Sequence, residues 1–369
     1  SESYNVAMPD NFPSHIHQAL KSWHKPHAED ELDTLLLTRQ MRAKRDSVSP
    51  RLVSNQILIE GLDYLKPVNP EAFDLLQRRF LNKETAREIA YRFNVGEDVI
   101  YQRQRAAIEQ LSQVIWQQEM ELRQHQAQRI ATRLEPPTYT KLFGMTQAIS
   151  EVRAKLEHRA APWILALEGM GGIGKTSLAD ALARELAYSV HFQDIAWVSV
   201  RQRLFRLSGA IESLPKAPNL TLAMLVDQLI DQFELGDLKR QTDAAKLIGV
   251  QAYLKARPNL VIVDNLETVD DYRALVMRLR ELMNPSKFLI TTRYSLRGES
   301  DVYIVPLQGL SFENTVQLVR YEAETQGLLE LATAPDAMLE PIYTLTHGNP
   351  LATKLVVGQV HTFDLSAVL

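Results

Sequence analysis

Apolar residues in the first third of the chain recur three and four positions apart, as in Leu32, Leu35 and Leu36 and again in Leu52, Ile57, Leu58, Leu62 and Leu65. That spacing predicts helices over most of residues 12–130, the longest from about Glu97 to Ile130. The pattern then changes. Short, nearly continuous apolar runs alternate with helical spacing: Ile164–Leu167, Ile195–Val200, Leu260–Val263, Phe288–Ile290 and Val302–Val305. Runs of three to six mostly apolar residues separated by helices predict parallel strands covered on both faces. From Ser311 to Gln359 the spacing is helical again and predicts a small bundle. Residues 201–218 receive no assignment. Between the helical and alternating regions, Arg133–Lys141 contains adjacent Pro136 and Pro137, which stop a helix and favour extended chain, so this segment reads as a linker.

Composition narrows the classes. The 369 residues are 45% hydrophobic and 23% charged, enough for more than one core in a globular protein. A formal charge of −4 supplies no overall basic field for nucleic acid or an anionic membrane. No apolar run approaches the ~20 residues of a membrane span, and no membrane partner is expected. The absence of cysteine excludes disulfides and thiolate metal sites. A cytoplasmic location is expected.

The chemistry concentrates in Gly169-Met170-Gly171-Gly172-Ile173-Gly174-Lys175-Thr176, which has the spacing G-x-x-x-x-G-K-T. It follows the predicted strand Trp163–Leu167 and precedes a helical pattern from Ser177 to Tyr188. Such a loop presents backbone N–H groups and a helix N-terminus to phosphate, and its glycines avoid Cβ clashes. Lys175 offers a point charge for the β- and γ-phosphates, and Thr176 a hydroxyl for Mg²⁺. In Leu260–Glu267, four apolar residues lead to Asp264 at the carboxyl end of a strand. A carboxylate there can hold Mg²⁺ through its water shell or can be only a turn residue. Arg293, after the strand Lys287–Thr292, can meet a γ-phosphate at the same sheet edge or form an ordinary surface ion pair. Gly348-Asn349-Pro350-Leu351 reads as a turn leading into a helix.

Taken in order, Gly169–Thr176, Ala196–Val200, Leu260–Glu267, Thr291-Thr292-Arg293, Leu307–Ser311 and Gly348–Leu351 resemble the NB-ARC class of STAND signalling ATPases, including bacterial regulators. The resemblance spans residues 140–360. It implies an α/β P-loop NTPase, a parallel sheet flanked by helices, plus an all-α N-terminal domain and a small C-terminal helical bundle. It implies an ADP/ATP switch with Mg²⁺, in which ADP locks a closed state and ATP permits opening and self-association of the full-length protein. It places Phe143 and Gly144 of Leu142-Phe143-Gly144-Met145 beside adenine, the phosphates on Gly169–Ser177, and Pro350 and Leu351 on the base or ribose side. Arg293 is implied as the γ-phosphate sensor. Many relatives carry a second acid where this chain has Asn265, and an amide cannot act as a base. Glu267 is then the remaining candidate beside Asp264 and Arg293 for catalysis, and slow hydrolysis is expected. A winged-helix domain and ligand-sensing repeats are expected beyond Leu369.

Residues 71–111 carry a further pattern. Ala72, Phe73, Leu75, Leu76 and Phe80 mark one helix, Thr85 is placed to cap a second holding Ala86, Ile89, Ala90 and Phe93, and Asn94-Val95-Gly96 turns into a third. This resembles the helix-turn-helix of sigma factor region four, which implies DNA as an alternative partner. Seven basic and seven acidic side chains balance across 71–111, and Glu97 and Asp98 open the third helix, so the basic footprint of a DNA binder is lacking. A protein partner on an effector or adaptor domain is the favoured reading. The expected division is 1–132 for that domain, 133–141 for the linker, 142–306 for the nucleotide-binding domain and 307–369 for the bundle.

Overall fold

The computed structural model describes residues 7–25, 32–44, 49–199, 221–266 and 272–360. These fall into two units, residues 1–127 and 128–369. The first is all helical: α1 (Phe12–Lys21), α2 (Leu36–Lys44), α3 (Pro50–Val68), α4 (Pro70–Leu76) continuing through a π-helical turn at Gln77–Leu81, α5 (Ala86–Phe93) and most of α6 (Glu97–Ala131). Ile16, Leu20, Ile57, Leu58, Leu65, Leu76, Leu111 and Ile115 form its core. The expected cap at Thr85 is a full capping box, the hydroxyl and Glu88 each bonding the other's backbone N–H, and α5 ends on Asn94 in the left-handed conformation. Glu119, fully buried on α6, accepts from the backbone N–H of Leu36 and Leu37 at 3.0 Å each and from Arg123 at 2.8 Å. The carboxylate thereby satisfies orphan donors at the positive end of α2.

The second unit contains α7 (Thr146–Glu157), β1 (Ile164–Glu168), α8 (Lys175–Leu186), β2 (Ile195–Val198), α9 (Leu222–Gln232), α10 (Asp243–Ala256), β3 (Leu260–Val263), α11 (Tyr272–Leu282), β4 (Lys287–Thr292) and β5 (Val302–Pro306). All strand pairs are parallel, in the order β2-β3-β4-β1-β5. Ile164, Ala166, Val261, Val263, Phe288 and Ile290 pack with apolar residues of α9, α10 and α11. The alternate set, Leu165, Leu167, Ile262 and Leu289, is equally buried, and α8 packs on β4. Burial on both faces explains why the strands read as unbroken apolar runs. Gln232 closes the edge strand β2, bonding Trp197 N at 2.7 Å and Trp197 O at 2.6 Å. A helical bundle follows: α12 (Phe312–Thr325), α13 (Leu329–Ala332), α14 (Asp336–Thr346) and α15 (Pro350–Gln359), with Val319, Leu339, Ile342 and Val357 at its centre. This is an α/β P-loop NTPase fold with an all-helical N-terminal region and a helical bundle. The unassigned stretch 201–218 and residues 361–369 lie outside the described residues. No described helix is long and apolar enough to cross a membrane.

Candidate functional site

The strand order decides where the chemistry converges. Because β4 lies between β1 and β3, its carboxyl end sits beside both the loop after β1 and Asp264 after β3. Ligands of such sheets bind outside the carboxyl ends of the strands, where the order reverses.

The loop from Gly169 to Gly174 curls into the N-terminus of α8, with Gly172 and Gly174 in the left-handed region at φ +78° and +102°. A Cβ on Gly172 would lie 2.7 Å from Cβ of Leu351. Only glycine fits there. Lys175 is buried, and its Nζ donates to the carbonyls of Gly169 at 2.8 Å and Met170 at 2.9 Å. The ammonium is thus folded across the loop it follows. Thr176 donates its hydroxyl to Asp264 Oδ1 at 2.7 Å. Arg293 brings its guanidinium against the loop, since a Cβ on Gly171 would meet Arg293 Cζ at 3.1 Å.

The bundle closes the other side. Asn349 caps α15, its Oδ1 accepting from Leu351 N at 3.1 Å and Ala352 N at 3.2 Å, while its Nδ2 donates to Gly171 O at 2.9 Å. Leu351 N reaches Gly172 O at 3.3 Å. One side chain therefore starts a helix of the bundle and ties it to the glycine-rich loop. Gly309 and His347 cross so closely that a Cβ on Gly309 would fall 2.2 Å from His347 O.

Between these walls lies a cleft of about 360 Å³, within the size range of small-molecule sites. Gly171, Gly172, Gly174, Lys175, Thr176, Ser177 and Arg293 belong to its polar lining. Phe143, Leu310, Leu318, Pro350 and Leu351 belong to its apolar lining. Phe143 is buried with Leu310 and Leu318, its ring 5.6 Å from that of Tyr321. Gly144 turns the chain at φ +64° against Leu310 and Asn314.

Ten sequence-predicted residues therefore line one cleft: Phe143, Gly171, Gly172, Gly174, Lys175, Thr176, Ser177, Arg293, Pro350 and Leu351. Others stand apart. Asp264 lies behind Thr176, Ile173 is buried beneath the loop, Met170 is exposed, and Gly144 and Gly169 shape turns without lining the cleft. Glu267 lies outside the described residues.

Sequence reasoning missed Thr138, Tyr139, Lys141 and Lys354, which also line the cleft. The first three belong to the segment whose prolines read as a linker. That segment is fastened: Arg133 to Asp194 at 2.6 Å, the Glu135 carbonyl to Arg184 at 2.6 Å, Tyr139 to Asp180 at 2.7 Å, and Thr140 to Tyr321 at 2.5 Å. Burial and the Asp180 carboxylate push the Tyr139 phenol well above its ordinary range, so it stays a donor. Only the aromatic and basic content of 138–141 could have pointed to it.

The donor set fits a nucleotide with Mg²⁺. The glycine-rich loop leads directly into the N-terminus of α8, whose backbone N–H groups suit phosphate. Thr176 and Asp264 supply two oxygens, and no described group of three or more His, Cys, Asp or Glu forms a metal site of its own. Oxygen donors this few suit Mg²⁺, which keeps waters and takes its remaining ligands from phosphate.

Residues 145–300 match the NB-ARC domain. Disease resistance protein RPM1 of Arabidopsis thaliana is 27% identical over 193 residues, covering 52% of this chain and 19% of its own length. Probable disease resistance RPP8-like protein 4 of the same plant is 29% identical over 106 residues, covering 29% of this chain and 12% of its own. The chain thus spans less than a fifth of either relative. Among solved structures, a Signal Transduction ATPase with Numerous Domains (STAND) protein with a tetratricopeptide repeat sensor from Pyrococcus horikoshii aligns at 19% identity and a TM-score of 0.36, covering 63% of this chain and 32% of that one. The α/β core of this chain is a P-loop NTPase fold, and across residues 145–300 it matches the NB-ARC domain.

Proposed function

We propose that this chain is the nucleotide-dependent switch of a signalling protein, binding ADP or ATP with Mg²⁺ and hydrolysing ATP slowly. One observation carries the reading: the bundle's Asn349 and Leu351 are hydrogen-bonded to the carbonyls of Gly171 and Gly172. A nucleotide on this loop touches both the sheet and the bundle, so its binding free energy is coupled to their closure. A state change requires a ligand with different contacts in the two states.

The roles follow from position. Lys175 and the loop N–H groups hold phosphate, Thr176 and Asp264 would hold Mg²⁺, and Phe143, Pro350 and Leu351 pack against the base and ribose. Mg²⁺ supplies neutralisation of phosphate charge. Arg293, at the loop, is the group that distinguishes a γ-phosphate, and its engagement favours opening and self-association. Asn265 holds no proton-accepting carboxylate, which leaves Glu267 to orient water. The N-terminal helices serve as the module that docks a protein partner. DNA is the second reading, supported only by the order of α4, α5 and α6.

The test is nucleotide titration with turnover. Wild type should bind ADP, and Lys175→Ala should weaken it by roughly 1.5–3 kcal/mol, the worth of a charged hydrogen bond. Equal affinities would end the reading. Turnover at tens per second by the isolated chain would refute slow hydrolysis, because completing such sites in trans is worth ~10³–10⁵-fold. A salt-dependent gel shift tests the DNA reading.

A further inference from the structure

Among the described residues, Thr176, Thr291 and Asn265 donate side-chain hydrogen bonds to Asp264, and the last two lie outside the glycine-rich loop. Thr176 and Thr291 both donate to Oδ1 at 2.7 Å, and Asn265 Nδ2 donates to Oδ2 at 2.9 Å. Thr291 is fully buried on β4, and its hydroxyl also accepts from the backbone N–H of Asn265 at 2.8 Å. Accepting from an N–H fixes the direction in which the hydroxyl proton points, which is at the carboxylate. Asn265 takes the left-handed conformation at φ +61°, which asparagine adopts more readily than most residues. Facing a carboxylate, its amide presents NH₂, so this side chain is committed as a donor. A second acid at this position would instead set two carboxylates against each other.

The consequence concerns the cation. When the Thr176 hydroxyl turns its lone pairs to an ion, Asp264 loses one of its donors. Were Thr176 the sole partner, the carboxylate would be released to rotate at the moment its orientation matters. Thr291 and Asn265 keep both oxygens fixed through that exchange. Two residues beyond Thr291, Arg293 lies against Gly171, so one strand end carries both the carboxylate's anchor and a cation of the loop.

We propose that Thr291 and Asn265 are positioning residues that hold Asp264 in its cation-binding orientation and thereby set the Mg²⁺-dependent part of triphosphate binding. This rests on the nucleotide-switch reading above. The test is calorimetric titration of a non-hydrolysable ATP analogue and of ADP, each in Mg²⁺ and in EDTA. The proteins are wild type, Thr291→Val, Thr291→Ser, Asn265→Ala and Lys175→Ala. Thr291→Val keeps shape and removes the hydroxyl. It should lose about tenfold of the affinity that Mg²⁺ adds for the ATP analogue, the lower range for a hydrogen bond to a charged group. Its affinity in EDTA should stay within about twofold of wild type on the same scale. Thr291→Ser should restore the Mg²⁺ gain, and Asn265→Ala should lose part of it. Equal losses in Mg²⁺ and EDTA, or a full Mg²⁺ gain in both Thr291→Val and Asn265→Ala, would overturn the proposal. If Thr291→Val does not fold, the partly exposed Asn265→Ala decides by the same criterion. The two readings fail separately. A wild type that binds no nucleotide removes the switch reading and this one with it. Binding that is lost in Lys175→Ala while the other variants keep their full Mg²⁺ gain removes this one alone.

Discussion

Asn349 does two jobs with one amide, and substitutions separate them. Its Oδ1 caps α15, which is worth about 1 kcal/mol. Its Nδ2 bonds Gly171 O at 2.9 Å, worth about 0.5–1.5 kcal/mol net. Asn349→Ala removes both and should cost about 1.5–2.5 kcal/mol. Asn349→Asp keeps the cap but turns a carboxylate oxygen toward the Gly171 carbonyl, so only the tie to the loop is lost. A loss of about 1–2 kcal/mol changes the ratio of closed to open forms by about 5–30-fold. Hydrogen exchange should therefore speed up over residues 169–177 and 350–359 in both variants, with the rest of the sheet unchanged. ADP titration on the same proteins should show weaker binding. If Asn349→Asp exchanges as slowly as wild type while Asn349→Ala does not, the cap alone matters and the tie contributes nothing. If both are as protected as wild type, the coupling of bundle to loop is refuted.

Three further outcomes follow from separate contacts. Gly309→Ala would place a Cβ 2.2 Å from His347 O, and because a backbone atom must yield, it should loosen the bundle by about 1–3 kcal/mol. Limited proteolysis within 312–359 that is no faster than in wild type would contradict this. Lys287 sits in the sheet with its Nζ on the carbonyls of Lys155 and Ala160, and burial pulls its ammonium from an ordinary 10.5 down to about 8. The unfolded chain holds this proton across that window and the folded chain releases it, so stability due to Lys287 rises from about pH 8 to about pH 10.5. Urea midpoints of wild type should climb relative to Lys287→Met through that range, and parallel profiles would remove the argument. Glu119→Gln leaves Arg123 without its buried counter-charge and sets an NH₂ donor against one backbone N–H of α2, which loses its acceptor. It should lower stability by roughly 1.5–3 kcal/mol, read from the thermal midpoint, and an unchanged midpoint would show that water replaces the carboxylate.

The parts that were legible in the sequence are those with a local signature. The strands at Ile164, Ile195 and Leu260 announce themselves because burial on two faces leaves no polar alternation. The cap at Thr85 is visible because its partner Glu88 is three residues on. The glycine-rich loop is legible because φ above zero and crowding by Leu351 and Met145 leave glycine as the fitting residue at Gly172 and Gly174. Pro136 and Pro137 mark a break in the helical pattern, and α6 ends at Ala131, ahead of both. What their neighbours touch was invisible, since Tyr139 finds Asp180 on a helix 41 positions away.

The sequence by itself determined the elements, their order and the phosphate loop, because short-range sterics and burial write periodicities of two and 3.6 into the chain. The tertiary structure alone decided that β4 runs between β1 and β3, which brings Thr291 to Asp264 and Arg293 to the loop. It alone decided that Asn349 reaches Gly171, 178 positions away. Strand order follows from which crossovers bury the most apolar surface, and a hydrogen bond between distant residues leaves no periodic trace. Such contacts exist only once the whole sheet and bundle have packed.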